Sequence, residues 1–202
     1  MRTNEGRAKA ATIAGNEDNH QECKSYDFEC DFAAYCARRL TDEIRYFSLL
    51  RPFTELQIAK QFAALPQYHE TFRSCNRGSK QNVWCGKCAK CLFVFSILSP
   101  FMDYDRLCGI FGADLLDDRE LLADFEGLCG FAPVKPFECV GTASELCAAL
   151  WMTAEKLQNE GRALPALLAH FCARAQRLEE NPLQYWNPQH HLPAAFMPAC
   201  KE

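Results

Sequence analysis

At 202 residues, with 49% apolar and 24% charged residues, the chain is long enough for one full hydrophobic core and too apolar to be disordered over most of its length. A formal net charge of -4 gives no global pull toward nucleic acid or an anionic membrane, and the longest apolar stretch, residues 92–102, is too short to span a bilayer. Thirteen cysteines would suit a secreted disulfide scaffold, but the number is odd, the chain is too long to need staples, and the polar start MRTNEGRAKAATIAGNED carries no apolar signal segment. The expectation is a cytoplasmic protein with most thiols free.

In chain order, residues 1–9 are polar and read as a disordered start. Residues 10–15 (AATIAG) suit a short strand, with Asn16 and Glu17 just past its end, where α/β sheets place ligands. Residues 25–40 predict a helix with Phe28, Phe32, Tyr35 and Cys36 on one inward face and Arg38 and Arg39 near its C-terminal end. Residues 45–50 (RYFSLL) suit a second strand, ended by Arg51 and Pro52. Thr54 and Gln57 have capping-box spacing ahead of a helix that Pro66 stops.

Residues 89–99 predict a very apolar helix ended near Pro100. Asp117 and Glu120 open another that Gly130 closes, and Thr142 and Glu145 open a third that ends before Gly161. Pro165 suits the first turn of a last long helix reaching residue 180, after which Pro182, Pro188, Pro193 and Pro198 break the chain into an extended tail. The expected fold is mostly α, with a small α/β remnant at the N-terminal end. The expected organisation is a partial α/β unit over 10–66 that looks like the tail of a parallel sheet, a zinc-knuckle and helical domain over 67–180, and the tail over 181–202.

The strongest chemical signal is CNRGSKQNVWCGKCAKC, which brings Cys75, Cys85, Cys88 and Cys91 within seventeen residues. Four sulfurs make a closed tetrahedral site, for which zinc in a structural role is the default occupant. The rivals are free thiols and an iron–sulfur cluster, the latter lacking the C-P that completes the ferredoxin pattern. Arg73, Arg77, Lys80, Lys87 and Lys90 surround the cluster without an acid between them, which offsets the charge of four thiolates around a divalent ion. The same cations beside Trp84, Phe93 and Phe95 raise a nucleic-acid grip as a rival, but the phenylalanines lie on an apolar helix and read as core. Cys108, Cys129, Cys147 and Cys172 read as core residues, and His190, His191 and Cys200 as a flexible tail in preference to a second metal site. His20 reads as a solvated loop histidine, and Arg51 as either a phosphate contact or a salt-bridge partner.

The cysteine run, preceded by SLLRPFTELQIAK over 48–60, resembles the C-terminal part of ATP-pyrophosphatase-type nucleotide hydrolases such as 7-cyano-7-deazaguanine synthase. A closer resemblance is to MurL-type UDP-N-acetylmuramoyl-L-alanyl-L-glutamate epimerases. It is carried by GNE (15–17), NHQ (19–21), KS (24–25), YFSLLRPFTELQIA (46–59), FRSCNR (72–77), WCGKCAKCLFVF (84–95), IFG (110–112) and KPFECVGT (135–142). The resemblance implies a cytoplasmic enzyme of peptidoglycan synthesis that inverts the terminal glutamate of UDP-MurNAc-L-Ala-L-Glu, using ATP and magnesium. Adenylating the carboxylate makes chemical sense, because the α-proton then leaves toward a carbonyl that can hold an enolate.

The resemblance also directs attention to the loop KPFEC, where Lys135 would bind substrate and Glu138 and Cys139 become candidate acid/base groups. Asn16, Glu17 and Arg51 join Lys135 as candidate substrate contacts. No S-G-G-x-D-S phosphate loop occurs in the 202 residues. The expectation is therefore the C-terminal portion of an adenine-nucleotide-hydrolase-like enzyme, a truncated chain that is inactive alone and relies on a missing or separate N-terminal ATP-binding half. The alternatives are a zinc-stabilised binding module and another carboxylate-adenylating hydrolase.

Overall fold

The structure is a computed structural model that describes residues 11–13, 16–18, 22–177 and 181–197. Contacts divide the chain into two units: Glu55–Gln184 forms one, while the residues up to Thr54 and from Tyr185 onward form the other.

The Glu55–Gln184 unit is helical, with α2 (Glu55–Ala63), α3 (Ala89–Leu98), α4 (Tyr104–Phe111), α5 (Leu122–Cys129), α6 (Ala143–Asn159) and α7 (Ala166–Arg174). α3 is its axis. The sequence AKCLFVFSIL is apolar all round, and a helix of that kind is stable only when neighbours cover every face. Here α2, α4, α5 and α6 pack against it. Leu92 and Phe95 are wholly buried, and Phe95 meets Phe111 and Tyr104 edge-on at 5.3 and 5.8 Å between ring centroids. Two polar groups inside this core, the Ser99 and Thr153 hydroxyls, satisfy each other at 2.6 Å. Lys156 from α6 donates to the carbonyls of Ser99 and Met102, which closes the C-terminal end of α3.

Local signals define the helix ends. Thr142 and Glu145 form a full capping box on α6. Glu145 does more: its Oε1 also accepts the Glu55 N–H at 2.7 Å, so one buried carboxylate terminates both α6 and α2. Gly141 lies against this junction, where a Cβ would stand 2.8 Å from Glu55 Cγ and 2.9 Å from Phe93 Cζ. α5 begins later than expected, because Asp118 caps a 3₁₀ turn over Arg119–Leu121 ahead of it. α7 ends at Arg174, well short of residue 180. α4 lies in a stretch for which no element is expected above, although Asp103 caps its start and Gly112, at φ +79°, closes it.

The other unit is built differently. β1 (Ala11–Ile13) and β2 (Asn16–Asp18) pair antiparallel, with Ala11 opposite Asp18 and Ile13 opposite Asn16. The α/β remnant is therefore corrected: the described strands form a tight hairpin, and no parallel pairing occurs among the described residues. Residues 45–50 form no strand, because their β-forming composition meets no sheet edge among the described residues. α1 (Tyr26–Arg39) starts at its cap Ser25 and buries Cys36 as expected, but the three aromatic residues expected beside it are exposed. Glu29 and Cys36 are buried, while Phe28, Phe32 and Tyr35 form an exposed ladder of rings with centroids 5.9 and 6.4 Å apart. Residues 185–192 return to this unit instead of trailing away: the Asn187 N–H donates to the Pro52 carbonyl at 2.9 Å, and Trp186 meets Phe53 edge-on at 5.5 Å.

Among the described residues every cysteine is free, and no helix is long and apolar enough to cross a membrane.

Candidate metal centre and the adjoining loop

The Sγ atoms of Cys75, Cys85, Cys88 and Cys91 all lie within 4.8 Å of one another. Cys91 Sγ stands 3.5 Å from Cys88 Sγ and 3.7 Å from Cys85 Sγ. A tetrahedron of sulfurs at the usual zinc–sulfur length of about 2.3 Å has edges of about 3.8 Å, so the spacing fits a single tetrahedral ion. Cys75, Cys88 and Cys91 are buried and Cys85 is half-buried, which leaves four sulfurs that could hold one metal ion.

Backbone geometry builds this cluster. Gly86, at φ +64°, makes the turn that returns Cys88 toward Cys85. Cys88 is the N-cap of α3, its sulfur accepting the Cys91 N–H at 3.4 Å, so helix and ligand set are fixed together. The Gly78 N–H donates to Cys75 Sγ at 3.2 Å, and a Cβ on Gly78 would stand 2.0 Å from the Val83 carbonyl oxygen, so this turn admits only glycine.

The cluster divides electrostatically. The Cys91 thiol and N–H hold Cys88 down to about 5 against its burial. Burial works against ionising Cys75, but the N–H groups of Cys85 and Gly78 outweigh it and lower its value. Cys91 is pushed up by its hydrogen bond to Cys88 and by burial; Cys85 is pushed up by burial and by its bonds to Cys75 and Cys88. The four thiols thus differ in how readily they lose a proton, and a divalent cation would displace those that are retained. Trp84, Phe93 and Phe95 are all buried, so none offers a face for stacking a base.

The KPFEC loop adjoins this centre. Glu138 Oε2 accepts from Asn76 Nδ2 at 2.8 Å, and Asn76 Oδ1 accepts from Lys90 Nζ at 3.4 Å. Asn76 follows Cys75 directly, so the loop is tied to the cysteine segment through one side chain. Two consecutive γ-turns fold the loop, the Glu138 N–H donating to the Pro136 carbonyl and the Val140 N–H to that of Glu138. Lys135 Nζ donates to the carbonyls of Val140 and Gly141, at 3.3 and 2.7 Å. Its ammonium holds its own loop closed. Cys139 is half-buried beside these turns.

The remaining candidates lie in the other unit. Asn16 and Glu17 are in β2, opposite Ile13 and Thr12. Arg51 is buried; its Nε donates to Glu29 Oε2 at 2.7 Å and its Nη2 to the carbonyls of Lys24 and Ser25. His20 and Cys200 lie outside the described residues.

Residues 71–182 match the family model of the MurL C-terminal domain. The chain is 38% identical over 192 residues to a UDP-N-acetyl-alpha-D-muramoyl-L-alanyl-L-glutamate epimerase of Xanthomonas oryzae pv. oryzae, a match covering 89% of this chain and 42% of that protein. Proteins of the same name from a Micromonospora species and from Salinispora tropica are each 40% identical, over 159 and 148 residues, covering 77% and 70% of this chain but 35% and 32% of theirs. The chain thus spans about two fifths or less of the length of the curated relatives it matches. No solved structure matches it significantly.

Proposed function

The chain belongs to the family of the MurL C-terminal domain, and from that premise we propose that it supplies the zinc-clasped C-terminal part of an ATP-dependent epimerase acting on UDP-MurNAc-L-Ala-L-Glu in cytoplasmic peptidoglycan synthesis. The observation that carries this reading is the joint match of the cysteine segment and the KPFEC loop to one family, with the two tied in space by Asn76 and Glu138. Zinc supplies a cross-link here, since four sulfurs leave no open position for a substrate. Cys75, Cys85, Cys88 and Cys91 hold it, and in doing so fix the N-terminal end of α3 and the base of the loop.

In this reading ATP and magnesium act in a nucleotide-binding half, because these 202 residues contain no S-G-G-x-D-S run to cradle a pyrophosphate. Adenylation of the glutamate carboxylate there removes its negative charge and makes the α-hydrogen acidic enough to transfer. Lys135, Arg51, Asn16 and Glu17 stand as substrate contacts, and Glu138 and Cys139 as acid/base groups. Lys135 and Arg51 would act through shape and field more than by direct clamping, given the carbonyls and carboxylate that already take their donors.

The test is to mix the metal-loaded chain with ATP and UDP-MurNAc-L-Ala-L-Glu, with and without the N-terminal half of the Xanthomonas relative, and to follow pyrophosphate release and glutamate chirality. D-glutamate should form only when both parts are present. Turnover by the chain alone would refute the reliance on a second half, and pyrophosphate release without inversion would refute the epimerase reading.

A further inference from the structure

Glu29 is 1% exposed, yet its hydrogen bonds account for only one of its two carboxylate oxygens. Oε2 accepts from Arg51 Nε at 2.7 Å and from the Ser48 N–H at 3.2 Å. Among the described residues Oε1 has no hydrogen-bond partner, a condition that ordinarily costs on the order of 1–3 kcal/mol for a buried polar atom. The group facing it is His191 Nδ1, 3.4 Å away. The other ring nitrogen, Nε2, stands 3.9 Å from Cys30 Sγ and 3.3 Å from the Tyr26 hydroxyl oxygen.

Of the two ring tautomers, the one with its hydrogen on Nδ1 presents a donor to the Glu29 carboxylate and turns the lone pair of Nε2 toward the thiol and the phenol. Burial, and then Cys30 and Glu29 beside it, push the Tyr26 phenol above its ordinary value, so it stays protonated near neutrality, with a hydrogen to donate and an oxygen that can accept. Tyr26, Glu29 and Cys30 share one face of α1 by their i, i+3, i+4 spacing, and His191 reaches them from 161 residues beyond Cys30. A thiol against an imidazole that a buried carboxylate orients is the arrangement that activates a cysteine.

We propose that Cys30, His191 and Glu29 form a thiol–imidazole–carboxylate proton relay, with Arg51 and Tyr26 as positioning residues, and that Cys30 is an acid/base group for an activated acyl substrate with an acidic α-hydrogen. The assignment of that substrate rests on the epimerase reading; the relay itself does not. Cys30 gives its proton to His191 Nε2, forming an imidazolium that Glu29 stabilises. The thiolate takes the α-hydrogen: the C–H bond breaks, an S–H bond forms, and the bonding pair moves onto the carbonyl oxygen as an enolate. A water molecule on the other face gives a proton to that carbon, which inverts it, and the imidazolium passes its own proton to the resulting hydroxide. Cys139, the candidate from the sequence, has no comparable support, since the carboxylate beside it is taken up by Asn76.

The test is residue-resolved alkylation of the metal-loaded chain with iodoacetamide at neutral pH, read by peptide mass spectrometry. Cys23, exposed and seven residues upstream, is the internal standard. Because the thiolate is the reacting form, Cys30 should react about tenfold faster than Cys23 although it is less exposed. His191→Gln should bring Cys30 to the rate of Cys23 or below, with the Cys23 rate and the far-ultraviolet circular dichroism unchanged. A Cys30 no faster than Cys23 in the unaltered chain overturns the relay, as does a folded His191→Gln protein with undiminished Cys30 reactivity. If that variant unfolds, the ratio in the unaltered chain decides alone. A reactive Cys30 in a chain that never supports inversion sinks only the epimerase reading, whereas an inert Cys30 in an active enzyme sinks only the relay.

Discussion

The two units of this chain are held together by opposite means. The Glu55–Gln184 unit buries an apolar helix on every face and sets four sulfurs at its N-terminal end. The other unit buries Glu29, Arg51 and Asn187 and leaves Phe28, Phe32 and Tyr35 in solvent. Apolar burial rewards any well-filled packing, whereas a buried ion pair is stable only when its partners stay in place. The first arrangement suits a scaffold. The second is what a site of reactive groups requires, because orientation of the charges is what it preserves.

The comparison breaks most sharply at the metal centre. Cys88→Ser should reduce bound metal from one ion per chain to near none and destabilise the helical unit by more than about 4 kcal/mol, since structural zinc sites contribute about 10–16 kcal/mol of binding that is coupled to folding. Metal analysis and thermal melting at Trp84, adjacent to Cys85, check this; unchanged stoichiometry would remove the centre from the account. Arg51→Met should cost the other unit about 3–5 kcal/mol by stranding the Glu29 carboxylate without its cation. The fluorescence of Trp186, which packs on Phe53 two residues from Arg51, is the reporter, in a protein whose other two tryptophans are replaced by phenylalanine. An unshifted transition at Trp186 would show that the ion pair does not govern its own unit. Gly141→Ala should cost about 1–3 kcal/mol, because its methyl group would meet Glu55 and Phe93 at under 3.0 Å. Urea midpoints measure that, and no shift would mean that the junction between α2 and α6 has room to move.

These elements differed in how far the sequence disclosed them. The cysteine cluster, the all-apolar α3 and the Thr142–Glu145 box were legible because each is written within a few residues and needs no distant partner. α4 also carries local marks, Asp103 and Gly112, but Pro100 just before it reads as the end of structure. The side of α1 that is buried was legible at Cys36 but not at Glu29 or the aromatic residues. An amphipathic pattern shows that two faces differ, and the apolar one is the natural choice for burial. Here Glu29 turns inward because Arg51, distant in the chain, meets it there. The setting of Cys30 was hidden for the same reason, since His191 lies in a proline-broken segment whose return no local signal announces. The KPFEC loop was visible as a motif, but its tie to the cysteine segment depends on Asn76, which no spacing rule singles out.

The smallest effect tests how the helical unit is joined at Glu145. Thr142→Ala removes the hydroxyl that accepts the Glu145 N–H at 3.3 Å and donates to Oε2 at 2.7 Å. The carboxylate keeps the Thr142 N–H at 3.0 Å and the Glu55 N–H at 2.7 Å, so the loss should be that of an ordinary cap, about 1 kcal/mol. Glu145→Ala leaves both of those N–H groups without their acceptor and should cost about 2–3 kcal/mol. The ordering of the two variants in equilibrium urea unfolding is the decisive quantity. If Thr142→Ala is as damaging as Glu145→Ala, the hydroxyl positions the carboxylate and α2 depends on α6 through Thr142. If Glu145→Ala is the larger, the carboxylate itself joins the two helices, and the helical unit rests on one charged contact as well as on its apolar axis.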